Sequence, residues 1–444
     1  MRCPGNSGSQ KRYIDIQAAN TLFRKTAVKC SVSRLASEEM VPMKYLLVVG
    51  DGMADYPVPE FANKTPLQIA HKPNMDAIAA KGKCGLIKNV PDDMTPGSET
   101  AILSLLGYDP HIYCTGRGPL EAPARGIKLG KNDGAFRCNL INEKGGVLVD
   151  YSAGHITTPE AEPLIAAVKK TFEKPGKIEF YSGLDYRHFL ILRNVPNSRQ
   201  IECTPPHDAS GIMVSDVLPK AKSTEVEKNA SLLGAMILKS KDVLESHPVN
   251  VARVKAGKRP GNMIWPWGGG PKPSMPSFKV KYGLKAAVIS AVDLVKGIGT
   301  YAGMKVISVP GATGLSNTNY EGKADAALNA LETCDLVFVH VEAPDEAGHV
   351  GDFNLKVKTI EDLDSRMLGR ILNGLKEPCA VAVMPDHPTP VKVGTHTRDP
   401  VPFTIFTPNS GSDSVRVFDE FSAEKGCYGL VTEQSLMSLL VSSR

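Results

Sequence analysis

Tyr45-Leu-Leu-Val-Val49 is an unbroken run of bulky apolar residues that stops at Gly50-Asp51-Gly52. With no polar residue alternating through it, the run has the pattern of a strand buried on both faces of a parallel sheet. The glycines end the strand and deliver Asp51 to the loop at its carboxyl end, where α/β sheets commonly bind their ligands. Lys305-Val-Ile-Ser-Val309, Leu336-Val-Phe-Val-His-Val341 and Ala380-Val-Ala-Val-Met384 read the same way, and the last two lead into Asp345 and Asp386. Helical patterns at 73–81, 99–106, 322–331 and 355–375 separate these strands. Strand and helix in alternation predict an α/β fold with a doubly wound parallel sheet.

Outward from this frame the middle of the chain changes character. Short strands at 146–150, 177–181 and 189–193, with helices at 160–172 and 225–244, predict a smaller α+β domain spanning 119–259 and inserted into a domain made of 43–118 and 260–444. The segment 260–276 contains Trp267-Gly-Gly-Gly-Pro271-Lys-Pro273 and is expected to be an irregular linker.

The 444 residues suffice for two or three domains, and 42% hydrophobic with 22% charged residues is a globular composition. Residues 1–42 carry seven basic against three acidic side chains, so they hold four of the five net positive charges. They are expected to be a disordered extension or a transit-like segment, or to precede a start at Met40 or Met43. The remainder is nearly neutral and has no basic stripe interleaved with aromatics, which argues against a nucleic-acid partner. Nine scattered cysteines, none within twenty residues of another, form no Cys-x-x-Cys pair. A reducing compartment, the cytoplasm, is therefore expected. No apolar run reaches the length of a membrane span, so no membrane partner is expected.

The chemistry gathers at the strand ends. Asp345-Glu-Ala-Gly-His349 sets a carboxylate and an imidazole four apart, on one face of a helical turn. Asp386-His387 follows an apolar strand directly, and His396 stands nine residues on in Gly394-Thr-His-Thr397. Each alone is an ordinary surface or loop feature; together with Asp51 they make a cation site. Oxygen and nitrogen donors without thiolates suit Mn²⁺, Zn²⁺ or Mg²⁺, the nitrogens favouring the first two. Counting Ser98, the seven donors exceed the needs of one ion and suggest two, as in phosphoryl-transfer sites. Ser98, in Thr95-Pro-Gly-Ser-Glu-Thr-Ala-Ile102, begins a helix and reads either as its cap or, beside such donors, as a nucleophile.

Asp51-Gly-Met, Pro96-Gly-Ser98-Glu-Thr-Ala, Gly107-Tyr-Asp-Pro110, Gly116-Arg-Gly-Pro-Leu-Glu-Ala122, Phe136-Arg-Cys-Asn139, Tyr186-Arg-His188, Pro205-Pro-His-Asp208, Gly311-Ala-Thr-Gly-Leu315, His340-Val-Glu-Ala-Pro-Asp345-Glu-Ala-Gly-His349 and Pro385-Asp-His387 form a set spread from Met43 to the carboxyl terminus. The set resembles the archaeal-type, cofactor-independent phosphoglycerate mutases of the alkaline phosphatase superfamily. The resemblance implies an alkaline phosphatase-like sheet with an inserted domain and interconversion of 3- and 2-phosphoglycerate through phosphoserine at Ser98, without 2,3-bisphosphoglycerate. It implies one Mn²⁺ held by Asp345, His349 and His396, and a second held by Asp51, Ser98, Asp386 and His387.

An anionic small-molecule substrate needs cations, for which Arg117, Arg137, Arg187, His188, His207 and Lys285 are the candidates, with Asp208 or Asp150 as a proton carrier. The competing reading is a phosphatase or phosphodiesterase, since the same site hydrolyses esters wherever water reaches the phosphoenzyme. A second domain able to close over the site and exclude water favours the mutase.

Overall fold

The computed structural model describes residues 43–442; the expected extension at 1–42 lies outside the described residues. In chain order the strands are β1 (Lys44–Gly50), β2 (Lys83–Ile87), β3 (Gly134–Lys144), β4 (Val147–Asp150), β5 (Ile178–Tyr181), β6 (Arg187–Leu192), β7 (Ile201–Glu202), β8 (Lys220–Ala221), β9 (Met263–Pro271), β10 (Ala286–Ile289), β11 (Lys305–Ile307), β12 (Leu336–Val341), β13 (Cys379–Met384), β14 (Val401–Phe406) and β15 (Gly429–Val431). The larger sheet has the order β11-β10-β12-β1-β13-β14-β2-β15. Only β14 opposes the common direction, antiparallel to both β13 and β2.

The run at Tyr45 is apolar throughout because both faces of β1 are covered. Leu46 and Val48 enter a core with Ile360, Leu363 and Met367, whereas Tyr45, Leu47 and Val49 enter another with Leu103, Val295 and Ile298. Successive side chains of a strand point to opposite faces, so a strand with two cores has no polar position to spare. β12 and β13 flank β1 in parallel register, with Val49 opposite His340 on one side and Met384 on the other. Their carboxyl ends consequently lie side by side. Asp51 follows β1, the helix Ala343–His349 follows β12, and Asp386 follows β13.

The smaller sheet has the order β4-β3-β6-β5, with β9 on the other flank of β3. Its pairings are all antiparallel. The helices Thr158–Phe172 and Glu227–Leu244 bury Leu164, Ile165 and Leu233 against it. The segment 260–276 is not the linker expected from its composition, because Met263–Pro271 is a strand pairing with β3. Its glycines provide room: a Cβ on Gly269 would overlap the Phe136 ring, and one on Gly270 the Thr115 carbonyl. Within the sheet β9 pairs only with β3, and an edge strand tolerates Pro266 and Pro271. Trp265 and Trp267 fix it, their indole N–H groups donating to Thr204 O and Asn139 Oδ1, each at 2.9 Å.

The helix expected at 355–375 is broken by a π-helical turn, Leu363–Leu368, between Phe353–Asp362 and Gly369–Gly374. Asp364 in that turn accepts the Met75 and Asn74 amides at 2.7 and 3.2 Å, tying it to the start of the helix Pro73–Lys81. Among the described residues no helix is long and apolar enough to cross a membrane, and their seven cysteines are all free.

Candidate active site

Ser98 opens the helix Ser98–Leu105, but its hydroxyl does not cap it; Gly97 holds the cap position with no side-chain bond. The Ser98 Oγ lies 3.2 Å from His387 Nε2 and 3.5 Å from Asp51 Oδ2. His387 Nε2 is in turn 3.4 Å from both Asp51 Oδ1 and Asp386 Oδ2. Asp386 is oriented through Oδ1, which accepts the amides of Gly52 and His387 at 3.1 and 2.9 Å. Its Oδ2 and Asp51 Oδ1 are buried without a hydrogen-bond partner. Gly52 has φ +59°, and a Cβ there would overlap Asp345 and Thr389, so this tight approach requires glycine.

A second group lies alongside. His349 Nε2 is 3.2 Å from Asp345 Oδ2, His396 Nε2 is 3.4 Å from Asp345 Oδ1, and the two imidazole nitrogens are 3.0 Å apart. His349 Nδ1 donates to the Gly394 carbonyl at 3.0 Å and leaves Nε2 facing the group. Thr389 joins the two groups: its hydroxyl donates to Asp345 Oδ1 at 2.5 Å and lies 3.3 Å from His387 Nδ1.

So many carboxylates in one buried place are electrostatically expensive. Burial first, then the charges of Asp386 and Glu342, raises the Asp51 pKa well above the ordinary range. Glu342 is pushed up to about 7, by burial and then by Asp345. Asp345 goes the other way, because hydrogen bonds from His349 and His396 outweigh its burial. The same partnership lifts His349 to about 9. Unpartnered buried carboxylate oxygens, imidazole nitrogens turned inward and an excess of negative charge fit divalent cations.

A family model described as 2,3-bisphosphoglycerate-independent phosphoglycerate mutase matches residues 79–250. A protein of that name from Methanosarcina mazei is 51% identical over 405 residues, covering 90% of this chain and 100% of the relative. The chain belongs to the 2,3-bisphosphoglycerate-independent phosphoglycerate mutases. As a mutase of this family it is an isomerase with a place in glycolysis. A namesake from Methanopyrus kandleri is 41% identical, covering 89% of this chain and 95% of its own. Among solved structures, a Pyrococcus horikoshii protein matches with TM-score 0.78 and 32% identity over 91% of this chain and 97% of that one. The cofactor-independent phosphoglycerate mutase of Thermoplasma acidophilum matches with TM-score 0.63 and 30% identity over 90% and 99%.

Several candidate substrate residues of the mutase gather in one further cluster. Arg117 and Arg137 both bond Glu121, and Arg137 also lies over the Trp267 ring at 5.1 Å. His207 meets the edge of the same ring, with centroids 5.5 Å apart, and Asp208 lies 3.7 Å from His207. Arg187 stacks on Tyr186 at 4.6 Å. His188 is buried and accepts the Gly183 amide through Nδ1 at 3.1 Å, which makes it a support for that loop.

Two expectations are corrected. Lys285 is exposed at the amino-terminal edge of the larger sheet, where its backbone bonds Asp335, and the ligand groups sit at the opposite ends of the strands. Asp150 is a poor proton carrier: although burial raises its pKa, hydrogen bonds from Ser152 and Arg259 outweigh this and hold the carboxyl below its usual range. Sequence reasoning missed His340, whose Nε2 lies 3.0 Å from Asp51 Oδ2, as well as Glu342, Thr389 and Glu121. Three of them fall inside or beside the motifs quoted above, so proximity in sequence was the available signal.

Proposed function

We propose that the chain interconverts 3-phosphoglycerate and 2-phosphoglycerate through phosphoserine at Ser98, without 2,3-bisphosphoglycerate, with two divalent cations, Mn²⁺ being favoured. The observation that carries the reading is the Ser98 hydroxyl, free of any capping role and set between Asp51 and His387. Asp345, His349 and His396 would hold one cation, and Asp51, Ser98, Asp386 and His387 the other. When bound, the cations supply positive charge that favours the ionised serine and offsets charge on the phosphoryl oxygens.

Ser98 Oγ attacks phosphorus as its hydroxyl gives up a proton, the bond from phosphorus to O3 breaks, and O3 leaves as the glycerate hydroxyl with that proton. The glycerate turns, its O2 attacks the same phosphorus, and the bond to Ser98 Oγ breaks as O2 gives up its proton. His207 is the group suited to carry that proton: burial first, with Arg117 and Arg137 adding to it, lowers its pKa against the pull of Asp208 and favours the neutral ring. Arg117, Arg137 and Arg187 bind the substrate's anionic groups. The smaller sheet, taken to run through β9, acts as a cap that excludes water. A reducing cytoplasm suits the free cysteines.

The test is conversion of 3-phosphoglycerate with Mn²⁺ present and 2,3-bisphosphoglycerate absent. Formation of 2-phosphoglycerate without free phosphate is expected. Free phosphate in place of 2-phosphoglycerate would mean a hydrolase.

A further inference from the structure

Glu121 has no part in the steps above, yet it is only 6% exposed and central to the arginine cluster. Its Oε1 accepts Arg117 Nε at 2.8 Å and Arg137 Nη1 at 3.1 Å. The Arg137, Arg117 and Arg187 charges overcome burial and keep it ionised. Around this carboxylate stand three guanidiniums, with Glu99 reaching only Arg117, at 3.5 Å. Arg137 is itself 6% exposed, and its Nε is buried without an acceptor. A buried donor left unpaired is costly, the more so on a charged group, so the cluster lacks one acceptor.

The backbone beneath Glu121 is closely held. The helix Arg117–Glu121 lies against β3 at Gly118, where a Cβ would overlap Phe136 and the Arg137 amide. On another side it meets the helix Asp293–Tyr301, where a Cβ on Gly297 would overlap the Leu120 carbonyl. Carboxylate and guanidiniums are thus fixed by packing before any substrate arrives.

We propose that Glu121 is a positioning residue that sets Arg117 and Arg137 as a paired grip for the substrate's carboxylate. The inference rests on the reading of the chain as a phosphoglycerate isomerase. Once the phosphoryl group is on Ser98, the carboxylate is the only charge the glycerate keeps, so a grip there retains the glycerate while it turns. Planar guanidiniums match a carboxylate in geometry as well as charge.

The experiment is calorimetric titration of D-glycerate, and separately of inorganic phosphate, into the full chain with Mn²⁺, for the unaltered protein, Glu121→Leu and Glu121→Gln. Glu121→Leu is expected to weaken glycerate about tenfold, about 1.4 kcal/mol, and to leave phosphate nearly unchanged. Its KM for 3-phosphoglycerate should rise more than its kcat falls. Glu121→Gln keeps an oxygen acceptor for both arginines and should lose less; it decides the matter if Glu121→Leu does not fold. Equal weakening of both anions, unaltered glycerate affinity in the folded variants, or no glycerate binding by the unaltered chain would overturn the proposal. Glycerate binding without mutase turnover would instead refute the proposed function and leave the grip standing.

Discussion

Thr389 is uncharged and fully buried, yet its hydroxyl touches both ligand groups, donating to Asp345 and lying beside His387 Nδ1. If the Nδ1–H points to Thr389, His387 Nε2 is left free to face Ser98 and the cation. Thr389→Val keeps the shape and removes the hydroxyl; Mn²⁺ affinity measured by calorimetry is expected to fall about 10–100-fold. An unchanged affinity would show that Asp345 and His387 orient themselves. At this scale the candidate ligands could be picked out because strand ends and a four-residue helical spacing announce them. Thr389, His340 and Glu342 were not, since a supporting contact imposes no spacing of its own. Lys285 failed for a related reason: its charge was visible in the sequence, but which end of the sheet it occupies was not.

Between elements, Lys356 is the tie that holds the ligand loops. It is fully buried and spends all three donors, on Asp55 at 2.7 Å, Thr389 O at 2.9 Å and Ala54 O at 3.1 Å. The helix Phe353–Asp362 thereby links the loop after β1 to the loop after β13. Lys356→Met leaves Asp55 buried and unpaired, and should cost about 3–5 kcal/mol in urea unfolding; a loss below about 1 kcal/mol would contradict this role.

His188 gives the smaller sheet a pH signature. Its pKa is pushed down to about 3, chiefly by burial and then by Arg137, against about 6.5 in the unfolded chain. As pH falls below 6.5 the unfolded chain takes up a proton that the folded one refuses, so stability is lost down to about pH 3. The loss is about 1.4 kcal/mol per pH unit for this one site. His188→Gln, whose side-chain oxygen can still accept the Gly183 amide, should flatten that slope; an identical slope would place the proton elsewhere. Among elements, β1, β12 and β13 could be read from their uninterrupted apolar runs. β9 could not, because the glycines that let it pack against Phe136 and Thr115 look like loop composition until the neighbours are known.

Across the whole molecule, the proposed ligands come from segments more than 300 residues apart, from Asp51 to His396. A cation bound there crosslinks the folded state and has no equivalent site in the unfolded chain. Chelation should therefore lower the thermal midpoint, and Mn²⁺ at a hundred times its Kd should restore about 2.7 kcal/mol per site. A midpoint indifferent to both would argue against a cation site in the native fold. In the larger sheet β1, β11, β12 and β13, with the candidate ligands that follow β1, β12 and β13, could be read from apolar runs, whereas β2, β10, β14 and β15 could not. In the smaller sheet β4, β5 and β6 were expected, but the long strand β3 was not, because it carries Arg137, Asn139, Asn142 and Glu143 among apolar residues and breaks the pattern of a buried strand.

The account turns on Ser98 carrying the phosphoryl group. Rapid acid quenching of the Mn²⁺-loaded chain during turnover of 3-phosphoglycerate, followed by mass spectrometry of the peptide holding residue 98, measures this directly. Phosphoserine at Ser98 is predicted, with none in Ser98→Ala and its turnover lost. Undiminished turnover by Ser98→Ala, or phosphate found on a different residue, would contradict it.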